Sequence, residues 1–201
     1  MPKVGMKPIR KQQLIDATLE SIAQHGLQNT TIMTISKIAG LSSGIISHYF
    51  GGKQGLTEAT MMHLLENLKL ALLERVALKK LSATERLKMI IEANFTSFQR
   101  SVPATKTWLS FWTQSMHDPK MSRLQNINSK RLYSNLLYSF RQLLAEDDAK
   151  TMAKQTAAMI DGFWLRSALS IDPDEEFKQA EQLCKKFIKD QINQYGDVTC
   201  H

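Results

Sequence analysis

Apolar residues recur along this chain at three- and four-residue spacing, the period of helices with one buried face. In residues 9–25, Ile15, Leu19 and Ile22 form one stripe ending at His25–Gly26, where glycine can take the left-handed cap. Thr31 caps a short helix whose Ile32, Ile35 and Ala39 point inward. Gly40 permits a tight turn and Leu41 plugs it. Ser42 caps a second short helix, with Ile46 and Phe50 four apart on its buried face. After Gly51–Gly52 a long helical pattern runs from about Lys53 to the high 70s. "SATE" (Ser82 to Glu85) is a capping box opening a helix that stops at Val102–Pro103. Further helices are expected over about 104–116, 120–145, 148–170 and 173–195, with Asp118–Pro119 and Asp172–Pro173 as cap-plus-proline starts. No stretch alternates as a strand does, and nothing repeats. The expected fold is all-α, about nine helices, with a compact three-helix block at the N-terminus and a larger helical bundle behind it.

Charge changes the picture of the first block. The 201 residues carry 26 Lys and Arg against 19 Asp and Glu, a formal charge of +7. Within residues 1–55, Lys3, Lys7, Arg10, Lys11, Lys37 and Lys53 face only Asp16 and Glu20. A basic lobe of this kind suits a polyanion, or is a solvated surface. Lys3, Lys7, Arg10 and Lys11 could form an arm on a phosphate backbone or minor groove, or simply a basic tail. The two cysteines, Cys184 and Cys200, lie far apart without metal spacing and fit a reducing compartment. There is no apolar run of membrane length, and "MPKVGMKPIRKQQ" lacks a signal-peptide core, so a cytoplasmic protein without a membrane partner is expected.

A short helix, a glycine turn and a second short helix make a helix-turn-helix, or alternatively an αα-corner in an ordinary helical domain. The face of the second helix opposite Ile46 and Phe50 carries Ser43, Gly44, Ile45, Ser47, His48 and Tyr49. Small residues let a helix axis approach base edges, hydroxyls and imidazole can bond phosphates or bases, and an exposed isoleucine can meet a thymine methyl. Enzyme chemistry has little to stand on. The five histidines (His25, His48, His63, His117 and His201) show no metal spacing, and "GGK" is no phosphate loop, since no strand precedes it and Gln54 follows Lys53. No metal, cofactor or catalytic residue is expected.

"TIMTISKIAGLSSGIISHYFGGKQGL" resembles the DNA-binding signature of TetR-type transcriptional repressors. Thr31, Ile35, Ala39, Gly40, Leu41, Ser42, Gly44, Ile46, Tyr49, Phe50, Lys53 and Leu56 fall on it, whereas Ser36 and Ser47 stand where the family usually has alanine and tyrosine. The resemblance implies a DNA-binding domain over 1–55 and an effector-binding and dimerisation domain over 56–201. It implies double-stranded DNA with a palindromic operator as the partner of a homodimer. The expected contacts are Thr31, Thr34, Ser42, Ser43, Gly44, Ile45, Ser47, His48 and Tyr49, with Lys53 on a phosphate. "SGIISHYFGGK", with "RKQQLIDATLESI" before it, is similar to the choline-responsive members of that family. That likeness implies repression of glycine betaine synthesis and choline uptake genes, relieved by choline; the alternative is a different small cationic or aromatic effector.

All three tryptophans, Trp108, Trp112 and Trp164, follow residue 100. With Phe95, Phe111 and Tyr133 they form either a packed aromatic core or a cage for a quaternary ammonium, which binds aromatic faces by cation–π attraction. Asp161 is one candidate carboxylate for such a cation, or a structural residue; Glu92 and Glu66 are others. Ala157, Ala158, Ile160, Phe163, Leu165, Ala168 and Leu169 make one late helix apolar on more than one face. Leu183, Phe187, Ile188 and Ile192 stripe the last helix. Together they resemble the family's pairing surface, or are covered within one subunit.

Overall fold

A computed structural model describes residues 6–76 and 81–196; Lys3, Cys200, His201 and the expected helix end in the high 70s lie outside the described residues. The described residues form ten helical elements: α1 (Met6–Asn29), α2 (Ile32–Ala39), α3 (Ser43–Phe50), α4 (Lys53–Val76), α5 (Ala83–Asn94), α6 (Ser97–Arg100), α7 (Val102–Ser115), α8 (Pro119–Phe140), α9 (Glu146–Ala168) and α10 (Pro173–Gly196). Since α6 is a single turn, this is the expected all-α layout of about nine helices. No helix among the described residues is long and apolar enough to cross a membrane.

The chain divides into two compact units. One comprises residues 1–66 with 101–124, and the other residues 67–100 with 125–201. The first unit closes around Leu14, Ala17, Ile35, Ile46 and Leu56, with Ile15, Ile32, Ala39, Leu41, Ile45, Tyr49 and Phe50 packed against them. α7 lies on α1 in the same unit, where the Lys106 ammonium donates to the Ala23 carbonyl at 2.6 Å and satisfies an orphan acceptor near the end of α1. In the second unit, Leu87, Ile90 and Ile91 of α5, Ile160 and Trp164 of α9, and Phe177, Cys184 and Ile188 of α10 are buried. Burial pushes the Cys184 thiol up to about 12, so it is an inert core residue.

Four boundaries differ from the sequence expectation. Gly26 breaks α1 with φ 74, but its ψ of 161 is the extended region open to glycine and not a left-handed cap; one more turn follows before Thr30. The helix opened by the Ser82–Glu85 capping box ends at Asn94 rather than Val102–Pro103. Polar side chains make that break: Asn94 donates back to the Ile90 carbonyl, and the Thr96 hydroxyl accepts from the Gln99 amide to start α6. Ser101 caps α7 with Pro103 in its first turn, so "SVPA" is a start and not only a stop. α8 ends at Phe140, short of 145, where turns closed on Ser139 and Phe140 replace helical bonding. The starts at Asp118 and Asp172 are as expected, each aspartate accepting main-chain amides of the following turn.

Candidate nucleic-acid interface and aromatic clusters

α2 is pinned before it reaches the turn. The Thr31 hydroxyl accepts from the Thr34 amide at 3.1 Å, and the Thr31 amide donates to the Thr34 hydroxyl at 2.9 Å. This is a capping box built from two threonines. The Thr34 hydroxyl also lies 2.9 Å from Ser21 Oγ of α1, so it is engaged within the protein. Gly40 then takes the left-handed conformation (φ 63, ψ 31), and Leu41 returns its amide to the Ser36 carbonyl. The corner depends on that glycine, because a side chain at this φ is strained.

α3 presents a narrower face than its sequence suggested. Ser43, Gly44, Ser47 and His48 are exposed, whereas Ile45 and Tyr49 are half-buried against the core. The reason is geometric. Residues four apart stack in rows along a helix, and both the 43/47 and the 45/49 rows flank the buried 46/50 row; the core cluster covers the 45/49 side and leaves 43/47 and 44/48 outward. Ile45 and Tyr49 therefore carry packing as well as any contact with a ligand. The His48 and Tyr49 rings lie 4.9 Å apart. Ser42 occupies the N-cap position, but its hydroxyl makes no capping bond; it stays exposed at the start of the helix.

Basic groups lie on the elements next to α3 in the same unit. Lys37 is exposed in the last turn of α2, and Lys53, half-buried, opens α4. Lys7, Arg10 and Lys11 belong to the helical start of α1 and not to a loose arm; Lys11 Nζ sits 5.5 Å from the Phe50 ring centre. Neither α2 nor α3 has an acidic residue in its first turn. Sequence reasoning passed over Gly55. A Cβ there would overlap the Phe50 carbonyl oxygen and come within 3.1 Å of its carbonyl carbon, so only glycine lets α4 start so close beneath the end of α3.

The aromatic residues fall into two groups. In the first unit Trp108 packs on Phe111 and Trp112 at ring separations of 5.7 and 6.4 Å. Trp108 and Phe111 are buried and Trp112 is half-buried. In the second unit Phe95 and Trp164 converge on Phe177, which the sequence reading did not single out, at 6.4 and 5.7 Å. Phe95 and Phe177 are almost inaccessible, so both serve as core. Tyr133 is half-buried on α8. Asp161 is exposed on α9 as a residue, yet loss of water around its carboxyl pushes the pKa up to about 6. That exposure places Asp161 outside the closed core. Glu92 is already paired: Lys185 reaches it at 2.6 Å and Glu181 at 2.7 Å. Glu66 is exposed on α4. Among the described residues no group of three or more His, Cys, Asp or Glu could hold a metal ion.

A glycine-cornered helix pair presenting small polar residues beside lysines, followed by a helical bundle, defines the class of helix-turn-helix DNA-binding regulators. Comparison with known proteins resolves the class further. Residues 14–60 match the description "Bacterial regulatory proteins, tetR family", and residues 83–193 match "BetI-type transcriptional repressor, C-terminal". The chain is 51% identical over 195 residues to the HTH-type transcriptional regulator BetI of Pseudomonas paraeruginosa, covering 92% of this chain and 99% of that protein. It is 50% identical over 188 residues to the BetI of Paraburkholderia phymatum, covering 94% and 95%. A regulator from Saccharomonospora viridis, solved in complex with choline, shares the fold at TM-score 0.78 and 22% identity over 89% of this chain and 95% of that one. The chain belongs to the TetR family of bacterial transcriptional regulators, with a C-terminal domain of BetI type. It is a DNA-binding transcriptional repressor and not an enzyme; members of this family bind DNA and small-molecule effectors, typically as dimers.

Proposed function

We propose that this repressor holds a palindromic operator as a homodimer, controls glycine betaine synthesis and choline uptake genes, and releases its operator on binding choline. Residues 1–55 read the DNA and residues 56–201 bind effector and partner subunit. The observation that carries the DNA half is the outward row pair Ser43/Ser47 and Gly44/His48, flanked by Lys37 and Lys53. A helix with so little side-chain bulk can lie deep in the major groove while lysines neutralise phosphates. α4 runs unbroken from Lys53, just after the reading helix, to Val76, and a shift of α4 on effector binding would change the spacing of two reading helices.

Two substitutions separate fold from DNA contact. Nothing lies within 4 Å of a Cβ added at Gly44, so Gly44→Ala is expected to leave the melting temperature unchanged or raised. It should nevertheless weaken operator binding by about tenfold or more, because the added methyl enters the groove contact. Lys53→Ala should weaken specific and non-specific DNA alike and flatten the salt dependence. Equal affinity of Gly44→Ala and the parent protein for the operator would remove α3 from the groove. Since Ile45 and Tyr49 are packed on the core, base-preference measurements on Ile45→Ala need a parallel stability measurement.

The choline half is supported by the BetI-named relatives and by the choline-bound neighbour of the same fold. A trimethylammonium head donates no strong hydrogen bond, so its recognition rests on aromatic faces, each contributing about 0.5–2 kcal/mol. Binding in the range of tens of micromolar to millimolar is expected. Trp112, half-buried, is the better probe than Trp108, whose loss would also open a core cavity. Choline should change tryptophan fluorescence saturably and release the operator. Trp112→Ala tests the first aromatic group; Trp164→Ala, at a residue nearly as buried as Trp108, tests the second only beside a melting curve, and ethanolamine, with the charge but no methyls, should act far more weakly. If choline at tens of millimolar moves neither fluorescence nor operator affinity, the effector assignment fails while the repressor stands.

A further inference from the structure

The second unit contains a cavity of about 180 Å³ lined by Val76, Leu81, Ala83, Arg86, Tyr138 and Gln142. That volume equals about six liquid waters at ~30 Å³ each. Among the described residues that line it, one is a cation. Arg86 is half-buried on α5, lies 5.2 Å from the Tyr138 ring centre and gives one Nη2 hydrogen bond to Asn135 Oδ1 at 2.8 Å. No carboxylate among the described residues pairs with it, and its Nε–H is buried without an acceptor. Gln142 spends its amide NH2 on the Tyr138 main-chain carbonyl. A half-buried guanidinium with unused donors and no counter-ion is costly unless an anion meets it.

We propose that this cavity is a binding site for a small monocarboxylate with a short apolar tail, its carboxylate on Arg86 and its tail against Val76, Leu81 and Ala83. Among the described lining residues Arg86 is the one cation, which suits one negative charge rather than a phosphate dianion. The Asn135 hydrogen bond and the nearby Tyr138 ring restrain the guanidinium, so it needs less ordering on binding. Val76, Leu81 and Ala83 give a short alkyl tail a small apolar wall beside the polar groups of Arg86, Tyr138 and Gln142.

The test uses the full-length protein with butyrate, n-butanol and inorganic phosphate as probes. Butyrate should shift the Arg86 Nε–H resonance saturably and raise the melting temperature; n-butanol and phosphate should need at least tenfold higher concentrations for the same effect. Arg86→Met and Arg86→Lys should lose the butyrate response while keeping operator binding. Tyr138→Ala, at a residue that is 61% exposed, should weaken the response without threatening the fold. The proposal is overturned if butyrate gives no saturable shift, if Arg86→Lys responds as the parent does, or if phosphate or n-butanol acts as strongly as butyrate. The three-probe comparison on the unmodified protein decides the matter even if Arg86→Met does not fold.

Discussion

Gly55→Ala is expected to abolish operator binding and to lower the melting temperature of the repressor markedly. The added Cβ would occupy the space of the Phe50 carbonyl oxygen. That atom belongs to the main chain, so no side-chain rotation relieves the overlap. Relief requires moving the corner at Gly51 and Gly52, whose positive φ angles (73 and 126) already leave it little freedom. Overpacking against backbone costs about 3 kcal/mol or more. Whatever part of the protein stays folded would hold α3 at a changed angle to α4, and a displaced reading helix loses several contacts together. Operator affinity should therefore fall at least a hundredfold, beyond what the stability loss explains. Gly162→Ala is the control. It lies in α9 with nothing within 4 Å of its added Cβ, so the ordinary helix preference for alanine, about 1 kcal/mol, should leave stability equal or higher. A Gly55→Ala protein that melts and binds like its parent would show that the corner yields freely.

What could be read from the sequence follows the range of the interaction concerned. Thr31, Gly40 and the Ser82–Glu85 box act within four residues of themselves, and each does in the structure what its spacing announced. The break at Phe95–Thr96 was missed because it depends on a hydroxyl accepting one amide, a weak signal inside an apolar pattern that continues across it. Ile45 and Tyr49 read as outward because one helix alone does not reveal how wide its buried stripe is; that width is set by the other helices that share its core cluster. Gly55 carries no local sign in the sequence, since the atom that excludes a side chain sits beyond the two-glycine corner. The Lys106 bond to Ala23 and the Lys185 bond to Glu92 join residues 83 and 93 positions apart, for which one sequence carries no local sign. The second matters for function, because it changes what Glu92 can do.

Lys185→Met is expected to destabilise the second unit by about 2 kcal/mol at neutral pH. Lys185 projects from α10 between Glu92 of α5 and Glu181 of its own helix, at 2.6 and 2.7 Å, with only 20% of its side chain exposed. Burial alone would pull the ammonium down, but its hydrogen bonds to Glu181 and Glu92 outweigh that and hold its pKa above the ordinary lysine value of 10.5. The pH dependence follows from that direction. A pKa raised on folding gives stability that is fully present below 10.5 and is lost as pH climbs through the raised value, so the deficit of Lys185→Met should shrink in strong alkali. Removing the lysine leaves two facing carboxylates without a counter-charge, a larger penalty than losing the pair outright. Adding Glu92→Gln to Lys185→Met should recover part of the loss, a coupling of about 1 kcal/mol in a double-mutant cycle followed by urea unfolding. The same pairing bears on effector recognition. Glu92 already holds an internal cation, so Glu92→Gln should cost stability yet leave choline response intact. A Glu92→Gln protein that folds normally but no longer responds to choline would place this carboxylate on the ligand and make Lys185 its stand-in in the unliganded chain.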